Sequence, residues 1–379
     1  MNPARTFYIA LGSNQGNRLQ SLQSAVDKIF TEIGEVERIS RIYETPAWGF
    51  EGNAFLNACI SVKSRFSANK VLEKLLHIES GLGRIRSDSS NYENRTLDLD
   101  IILIDEDILE TEKLRIPHPA MHERKFVLLP LADIAAKQVH PILKRSVLEM
   151  LKETSDMSEI TPITEGLANP IKKYSFTNCN YIAIEGNIGA GKTSLSTMMS
   201  QDFNAKLILE RFKDNPFLPK FYKDQHRYAF PLEMSFLADR YQQLSDDLAQ
   251  YDLFADFVVS DYDVFKSLIF AKITLQEDEY ALYHKLFSIM YKELVKPDLY
   301  IYLYQNTERL LENIKKRGRD YEQDIQPEYL VDINKSYLSF IKSQSNIKVQ
   351  LIDISDRDFV NNREDYLSIL QEIETGLKK

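Results

Sequence analysis

The sequence predicts two α/β domains in series, the second built on a parallel sheet flanked by helices. Residues 186–193 read GNIGAGKT, a GxxxxGK[ST] phosphate-binding loop, near the middle of a 379-residue chain. An apolar stretch, residues 181–185, precedes it like a buried strand, and residues 194–199 can continue as a helix. That strand–loop–helix order is the context the motif needs. Small nucleotide-binding domains of this type begin close to the loop, so the residues before it form a domain of their own. Residues 1–155 are assigned to the first domain, 156–176 to a linker and 177–379 to the second.

The elements follow in order. Residues 7–11 read as a strand, a Gly-Ser-Asn turn follows, and 19–33 read as a helix. Residues 36–43 and 57–62 read as strands, 68–80 as a helix, 97–104 as a strand and 126–134 as a helix. Between about residues 153 and 177, Ser, Thr, Pro and Gly interrupt any period, which marks the linker. Beyond the loop, 232–249, 280–294 and 308–317 read as helices, with 299–304 and 349–354 as further parallel strands.

Hydrophobic residues make up 44% and charged residues 27%, enough apolar material for a core in each half. The net charge of −9 argues against a general nucleic-acid binder, whose footprint is basic. Cys59 and Cys179 fall one in each half and make neither a metal cluster nor a disulfide framework, which suits a reducing cytosol. The N-terminus lacks an apolar secretory core, and no apolar run approaches the roughly 18 residues needed to cross a bilayer. These features predict a cytoplasmic protein with small-molecule substrates, without nucleic-acid or membrane partners.

In the phosphate loop, Gly186, Asn187, Ile188, Gly189, Ala190 and Gly191 supply backbone N–H groups, and the helix start adds its dipole. Lys192 reaches the β/γ-phosphates of ATP, and Thr193 ligates Mg²⁺. In the first half, Asp98 and Asp100 sit at i and i+2 of a strand and so share one face. Two adjacent carboxylates repel unless a cation neutralises them, and Mg²⁺ takes one or two carboxylates plus phosphate oxygens. Alone, the pair would better suit a solvated strand end, and Phe55 and Phe126 would read as ordinary core aromatics.

The ordered segments YIALGSN (8–14), YETPAWG (43–49), FLNA (55–58), HIESGLGRIR (77–86), RTLDLDI (95–101), IPHP (116–119) and HERKFVLLPL (122–131) resemble 6-hydroxymethyl-7,8-dihydropterin pyrophosphokinase over roughly residues 5–150. The resemblance implies a ferredoxin-like α/β fold and pyrophosphoryl transfer from ATP. It implies Mg²⁺ ligation by Asp98 and Asp100, and phosphate contacts from Arg84, Arg86, Arg95, His118 and Arg124, with Arg84 and Arg95 acting in the transition state. It places Thr45, Pro46, Phe55, Asn57 and Phe126 around the pterin, and Glu79 near the adenine and the pocket wall. The loop between Arg86 and Arg95 departs from the pattern in length, and Tyr92 stands where a Trp is frequent.

In the second half, Glu210 ends the apolar stretch after the loop helix, well placed as a general base on an acceptor hydroxyl or, read alone, a helix-start charge. Arg317 and Arg319 close a predicted helix, as lid arginines or a solvated basic end. The segments IEGNIGAGKT, NPFLPKFYKD (215–224), YAFPLEMSFLADRYQQL (228–244), SDYDVFKSLIFAK (260–272) and RGRDYEQDIQPEYL (317–330) resemble the deoxyribonucleoside kinases from about residue 178 onward. That resemblance implies Glu210 as base on the 5′-OH, with Arg317 and Arg319 on the lid. It implies Tyr222 and Glu322 on the sugar 3′-OH, Arg240 near the base and Glu210, and a homodimer formed through this domain. Two positions depart. Tyr262 follows Asp261 where the family carries an arginine, so a cation near the 5′-oxygen is missing or comes from another residue. Glu233 stands at the base-reading glutamine; a carboxylate only accepts, which favours guanine among the purines.

Overall fold

The computed structural model describes residues 3–47, 51–84, 94–176, 179–211, 215–221, 223–250, 255–319, 322, 325–343 and 347–378. It divides into two compact units, Met1–Lys173 and Tyr174–Lys379.

In the first unit the strand β1 (Arg5–Ser13) is followed by helix α1 (Arg18–Glu32), β2 (Glu35–Ile39), β3 (Tyr43–Thr45), β4 (Phe55–Ser64), α2 (Ala68–Gly81) and β5 (Asp98–Ile104). The sheet runs β5-β1-β4-β3, with β2 also on β4, and its pairings are antiparallel. Taking β2 and β3 as one interrupted strand, this is the ferredoxin-like order. The single strand expected over 36–43 is interrupted after Ile39: the Ser40 N–H still donates to the Cys59 carbonyl, but the Cys59 N–H donates at 2.9 Å to the Ser40 hydroxyl instead of to its carbonyl. Helix α1 buries Leu22, Ala25, Val26, Ile29 and Phe30 at helical spacing, and the Asn17 side chain caps its first turn. Tyr8 and Ala10 pack with Cys59, Ile102 and helix α3 (Lys125–Ala135) on one face of the sheet. Phe7, Ile9 and Leu11, one step out of phase, are buried on the other. The hairpin β6 (Leu109–Glu110) and β7 (Arg115–Ile116) leads into α3, and α4 (Val147–Glu153) follows, closed by a Ser146–Glu149 capping box.

The chain after α4, expected as a linker, lies along the first unit. Strand β8 (Thr161–Pro162) pairs with β3 at its edge, the Asn169 amide donates to Val36 O at 2.6 Å, and Asp156 accepts from the Lys125 N–H at 2.9 Å. The last contact satisfies an otherwise uncapped N–H at the start of α3, because Arg124 gives that helix no side-chain cap. Asp156→Ala should therefore destabilise the first unit by about 1 kcal/mol. Urea denaturation should show the loss, with an unchanged transition counting against this capping role.

The second unit carries a fully parallel sheet in the order β10-β11-β9-β12-β13. Its chain order is β9 (Tyr181–Gly186), α5 (Lys192–Asp202), β10 (Lys206–Ile208), α6 (Leu218–Phe221), α7 (Gln225–Ala249), β11 (Val258–Ser260), α8 (Phe265–Thr274) and α9 (Glu277–Tyr291). Then come β12 (Leu299–Tyr304), α10 (Thr307–Arg317), α11 (Pro327–Ser343), β13 (Val349–Asp353) and α12 (Arg363–Lys378). Central β9 is buried along its whole length and delivers the phosphate loop at its C-terminal end. Gly189 and Gly191 take φ of +84° and +83°, and a Cβ on Gly191 would meet the Phe359 ring at 2.8 Å. Helix α7 begins before the expected position and runs through Pro231, which reads in sequence as a boundary.

Candidate active sites

In the first unit the site gathers where β1, β4 and β5 end together. Gly12 stands opposite Asn57 on one side and Asp98 on the other, and Ala10 opposite Asp100. A Cβ at Gly12 would come within 3.0 Å of Asn57 Oδ1, so the glycine keeps this end of the sheet open. Thr45, Pro46, Phe55, Asn57 and Phe126 line one cavity with Arg95, Asp98, Asp100 and Arg124. The Asn57 amide donates to Thr45 Oγ1 at 2.8 Å, which orients it, and the Arg124 guanidinium lies 5.8 Å from the Phe126 ring centre.

The carboxylates at this end are crowded. Arg84 donates to Asp98 at 2.7 Å and Arg95 pairs with it at 2.8 Å. Arg84 also pairs with Glu79, which is buried and accepts from the Leu99 N–H at 2.8 Å. Glu79 is thus a support beneath Arg84 and β5. Burial, with Asp98 and Glu79 beside it, pushes the Asp100 carboxyl up to about 7. Burial and then the Arg124 charge lower the His118 imidazole from its ordinary value. Asn14, absent from the expected site, proves structural to it: its side chain accepts from the Arg95 N–H at 2.7 Å and donates to Asn94 Oδ1 at 2.7 Å. Arg86 and Tyr92 lie outside the described residues.

In the second unit Lys192, Thr193, Glu210, Glu233, Arg240 and the expected lid pair, Arg317 and Arg319, line one cavity. Lys192 donates to the carbonyls of Gly186 and Asn187 at 3.0 and 2.9 Å. Burial, together with Lys266 beside it, lowers its ammonium to about 8. Asp261 ties the loop to the candidate base, accepting from Thr193 Oγ1 at 2.5 Å and from the Glu210 N–H at 2.7 Å. Arg240 donates twice to Glu210 Oε1, at 2.9 and 2.7 Å, and Lys266 donates to Oε2 at 2.6 Å. Burial alone would raise the Glu210 carboxyl, but Lys266 and Arg240 outweigh it and hold the group far below the usual carboxylate range.

Glu233 is buried on α7. Its Oε1 accepts from Thr274 Oγ1 at 3.1 Å, while Oε2 is buried without a hydrogen bond. Burial raises this carboxyl to about 7. Glu322 does not stand apart from the lid arginines: Arg317 takes its Oε2 and Arg319 its Oε1 at 3.2 Å. A second network fixes the loop from behind. The Asn187 amide donates to Asn334 Oδ1 at 2.8 Å, and the Asn313 amide on α10 donates to the Gly189 carbonyl at 3.0 Å. Tyr222 lies outside the described residues.

The deoxynucleoside kinase family matches residues 182–378, and the 7,8-dihydro-6-hydroxymethylpterin-pyrophosphokinase family matches residues 8–136. The chain belongs to both families. It is a bifunctional enzyme that joins a pyrophosphokinase to a deoxynucleoside kinase, and kinases of both families use ATP as phosphate donor. The kinase half is 39% identical over 190 residues to deoxyguanosine kinase of Bacillus subtilis (strain 168), covering 49% of this chain and 92% of that protein. It is 34% identical over 207 residues to deoxyadenosine kinase of Dictyostelium discoideum, covering 53% and 82%. The pyrophosphokinase half is 34% identical over 151 residues to 2-amino-4-hydroxy-6-hydroxymethyldihydropteridine pyrophosphokinase of Aquifex aeolicus (strain VF5), covering 40% and 92%. Among the described residues no helix is long and apolar enough to cross a membrane.

Proposed function

We propose that the pyrophosphokinase unit transfers the pyrophosphoryl group of ATP to the hydroxymethyl oxygen of 6-hydroxymethyl-7,8-dihydropterin. Phe55 and Phe126 would hold the pterin, with Asn57 on its polar edge. Arg84, Arg95 and Arg124 would bind the phosphates, and His118 would assist them. Asp98 and Asp100 fit Mg²⁺: they share a face of β5, and burial, with Asp98 and Glu79 beside it, raises the Asp100 carboxyl in a way that a bound cation would reverse. The ion, when bound, supplies positive charge to the phosphate oxygens.

For the kinase unit we propose transfer of the ATP γ-phosphate to the 5′-OH of a purine deoxynucleoside, deoxyguanosine first. Glu210 would accept the hydroxyl proton, Lys192 and the lid arginines would hold the phosphates, and Thr193 with Asp261 would hold Mg²⁺. The enzyme would act in the cytoplasm as a homodimer through this unit, whose α9 leaves Leu282 and Ile289 exposed.

The observation that carries the base preference is Glu233 Oε2, buried and unpartnered in a residue that lines the cavity. Guanine offers its ring N–H and exocyclic amine side by side, and an ionised carboxylate accepts both. Adenine and cytosine place an acceptor beside their donor and meet a lone pair there. A mismatched buried polar contact costs about 1–3 kcal/mol, or roughly 10–100-fold in kcat/KM. With the carboxyl titrating near 7, the ionised form that reads guanine is present above that pH. The deoxyguanosine-to-deoxyadenosine ratio should therefore rise as pH increases through about 7 and fall below it. Glu233→Gln should flatten that pH dependence and narrow the ratio by roughly 10-fold or more. Measuring kcat/KM for four deoxynucleosides with both proteins decides it: an unchanged ranking in the variant removes Glu233 from base recognition.

A further inference from the structure

We propose that Lys266 is a positioning residue for nucleoside phosphorylation, serving in place of the arginine that Tyr262 displaces as the cation that seats the Glu210 carboxylate. The inference rests on the reading of Glu210 as the base.

Tyr262 cannot fill the arginine's role. Its side chain is fully buried in the apolar cluster that includes Ile208, Val264 and Phe265, and its hydroxyl makes no hydrogen bond. Lys266 starts from the first turn of α8 and arrives at the same carboxylate from another direction. Its Nζ lies 2.6 Å from Glu210 Oε2, and the two side chains are 12% and 10% exposed. Its ammonium also lies 5.7 Å from the Phe270 ring centre, one turn along the helix, which fixes the stem.

The division of labour is specific. Both Arg240 bonds go to Oε1 and the Lys266 bond goes to Oε2, so each oxygen has its own cation. A buried carboxylate stays charged only when paired. Other titratable or charged groups that act on this carboxylate or its cations are Glu233 from α7, Tyr283 from α9, Lys192 from α5, Glu185 from β9, and Asp261 and Tyr262 after β11. Three of these are acids that oppose a further negative charge. Without Lys266, Oε2 would lose the cation that holds it and the carboxylate could swing about its pair with Arg240. A base displaced from the acceptor hydroxyl loses turnover without losing ground-state contacts, so the sign is a fall in kcat at little-changed KM.

The test uses the intact chain with Lys266→Met and Lys266→Arg. The readout is kcat and KM for ATP and deoxyguanosine at one pH. Lys266→Met should lose about 10²-fold in kcat with little change in either KM. Lys266→Arg should recover most of that rate. A Lys266→Met kcat that matches wild type, or a loss carried by KM with kcat retained, overturns the proposal, as does an arginine variant as impaired as the methionine one. Should Lys266→Met fail to fold, retained kcat in Lys266→Arg still supports the proposal and its loss still overturns it. Glu210→Gln, assayed in parallel, separates the two readings. Normal turnover there removes the base itself, whereas lost turnover there with wild-type kcat in Lys266→Met removes this inference alone.

Discussion

Glu210→Gln should lower kcat for deoxynucleoside phosphorylation by about 10²–10⁴-fold, the usual worth of a general base, while leaving pyrophosphoryl transfer unchanged. The geometry makes the substitution informative. Glutamine keeps the volume of the side chain and one acceptor oxygen, so Arg240 retains a partner. Its amide nitrogen faces the Lys266 ammonium where an oxygen stood at 2.6 Å, and it cannot take a proton. Asp261 anchors residue 210 through the backbone N–H, so the main chain stays placed whatever the side chain. Nucleotide binding through Lys192 and the phosphate loop should survive, and KM for ATP should change little. The assay is steady-state kinetics of both activities on one preparation. Near-normal kcat would remove Glu210 from the mechanism.

Much of this site is written locally in the sequence. The phosphate loop is contiguous, so its glycines, Lys192 and Thr193 can be read from spacing, and the strand before it is buried as its composition implies. Glu210 and Arg240 come from distant segments but each closes a recognisable stretch. Lys266 was hidden because its role depends on what replaced the arginine four positions earlier and on how the first turn of α8 is aimed. The one available signal was a lone cation in the run FKSLIFA, whose other residues are apolar apart from Ser267. The pairing of Glu322 with both lid arginines was equally out of reach, since spacing alone does not say whether opposite charges meet each other or a ligand.

The same contrast holds in the pyrophosphokinase unit. Short apolar runs mark β1 and β5 in the sequence, and strand geometry then puts Asp98 and Asp100 on one face. Asn14 read as a turn residue, and only the return of residues 94–95 to β1 makes it the clamp on Arg95. The stretch after α4 lacks periodicity because its partners are an exposed strand edge and a helix end. Neither imposes a repeating pattern on the chain that covers it.

Asp98→Ala should abolish pyrophosphoryl transfer, by about 10³-fold or more, because several kcal/mol of transition-state charge stabilisation depend on an intact pair of metal-type carboxylates. Three effects act together. One of the two adjacent oxygens groups on β5 is lost. Arg95 and Arg84 lose the partner that held them at 2.8 and 2.7 Å, Arg84 keeping its pair with Glu79. Asp100, raised by burial and then by Asp98 and Glu79, loses its nearest like charge and ionises at lower pH. The last effect gives an independent readout. The Asp100 carboxyl should titrate below its wild-type value near 7 in Asp98→Ala, observable by carbon-detected NMR of labelled aspartate. Deoxynucleoside phosphorylation should stay near wild type, because the kinase unit has its own phosphate loop, base and core. Loss of both activities in a folded Asp98→Ala protein would show that the two sites are not independent.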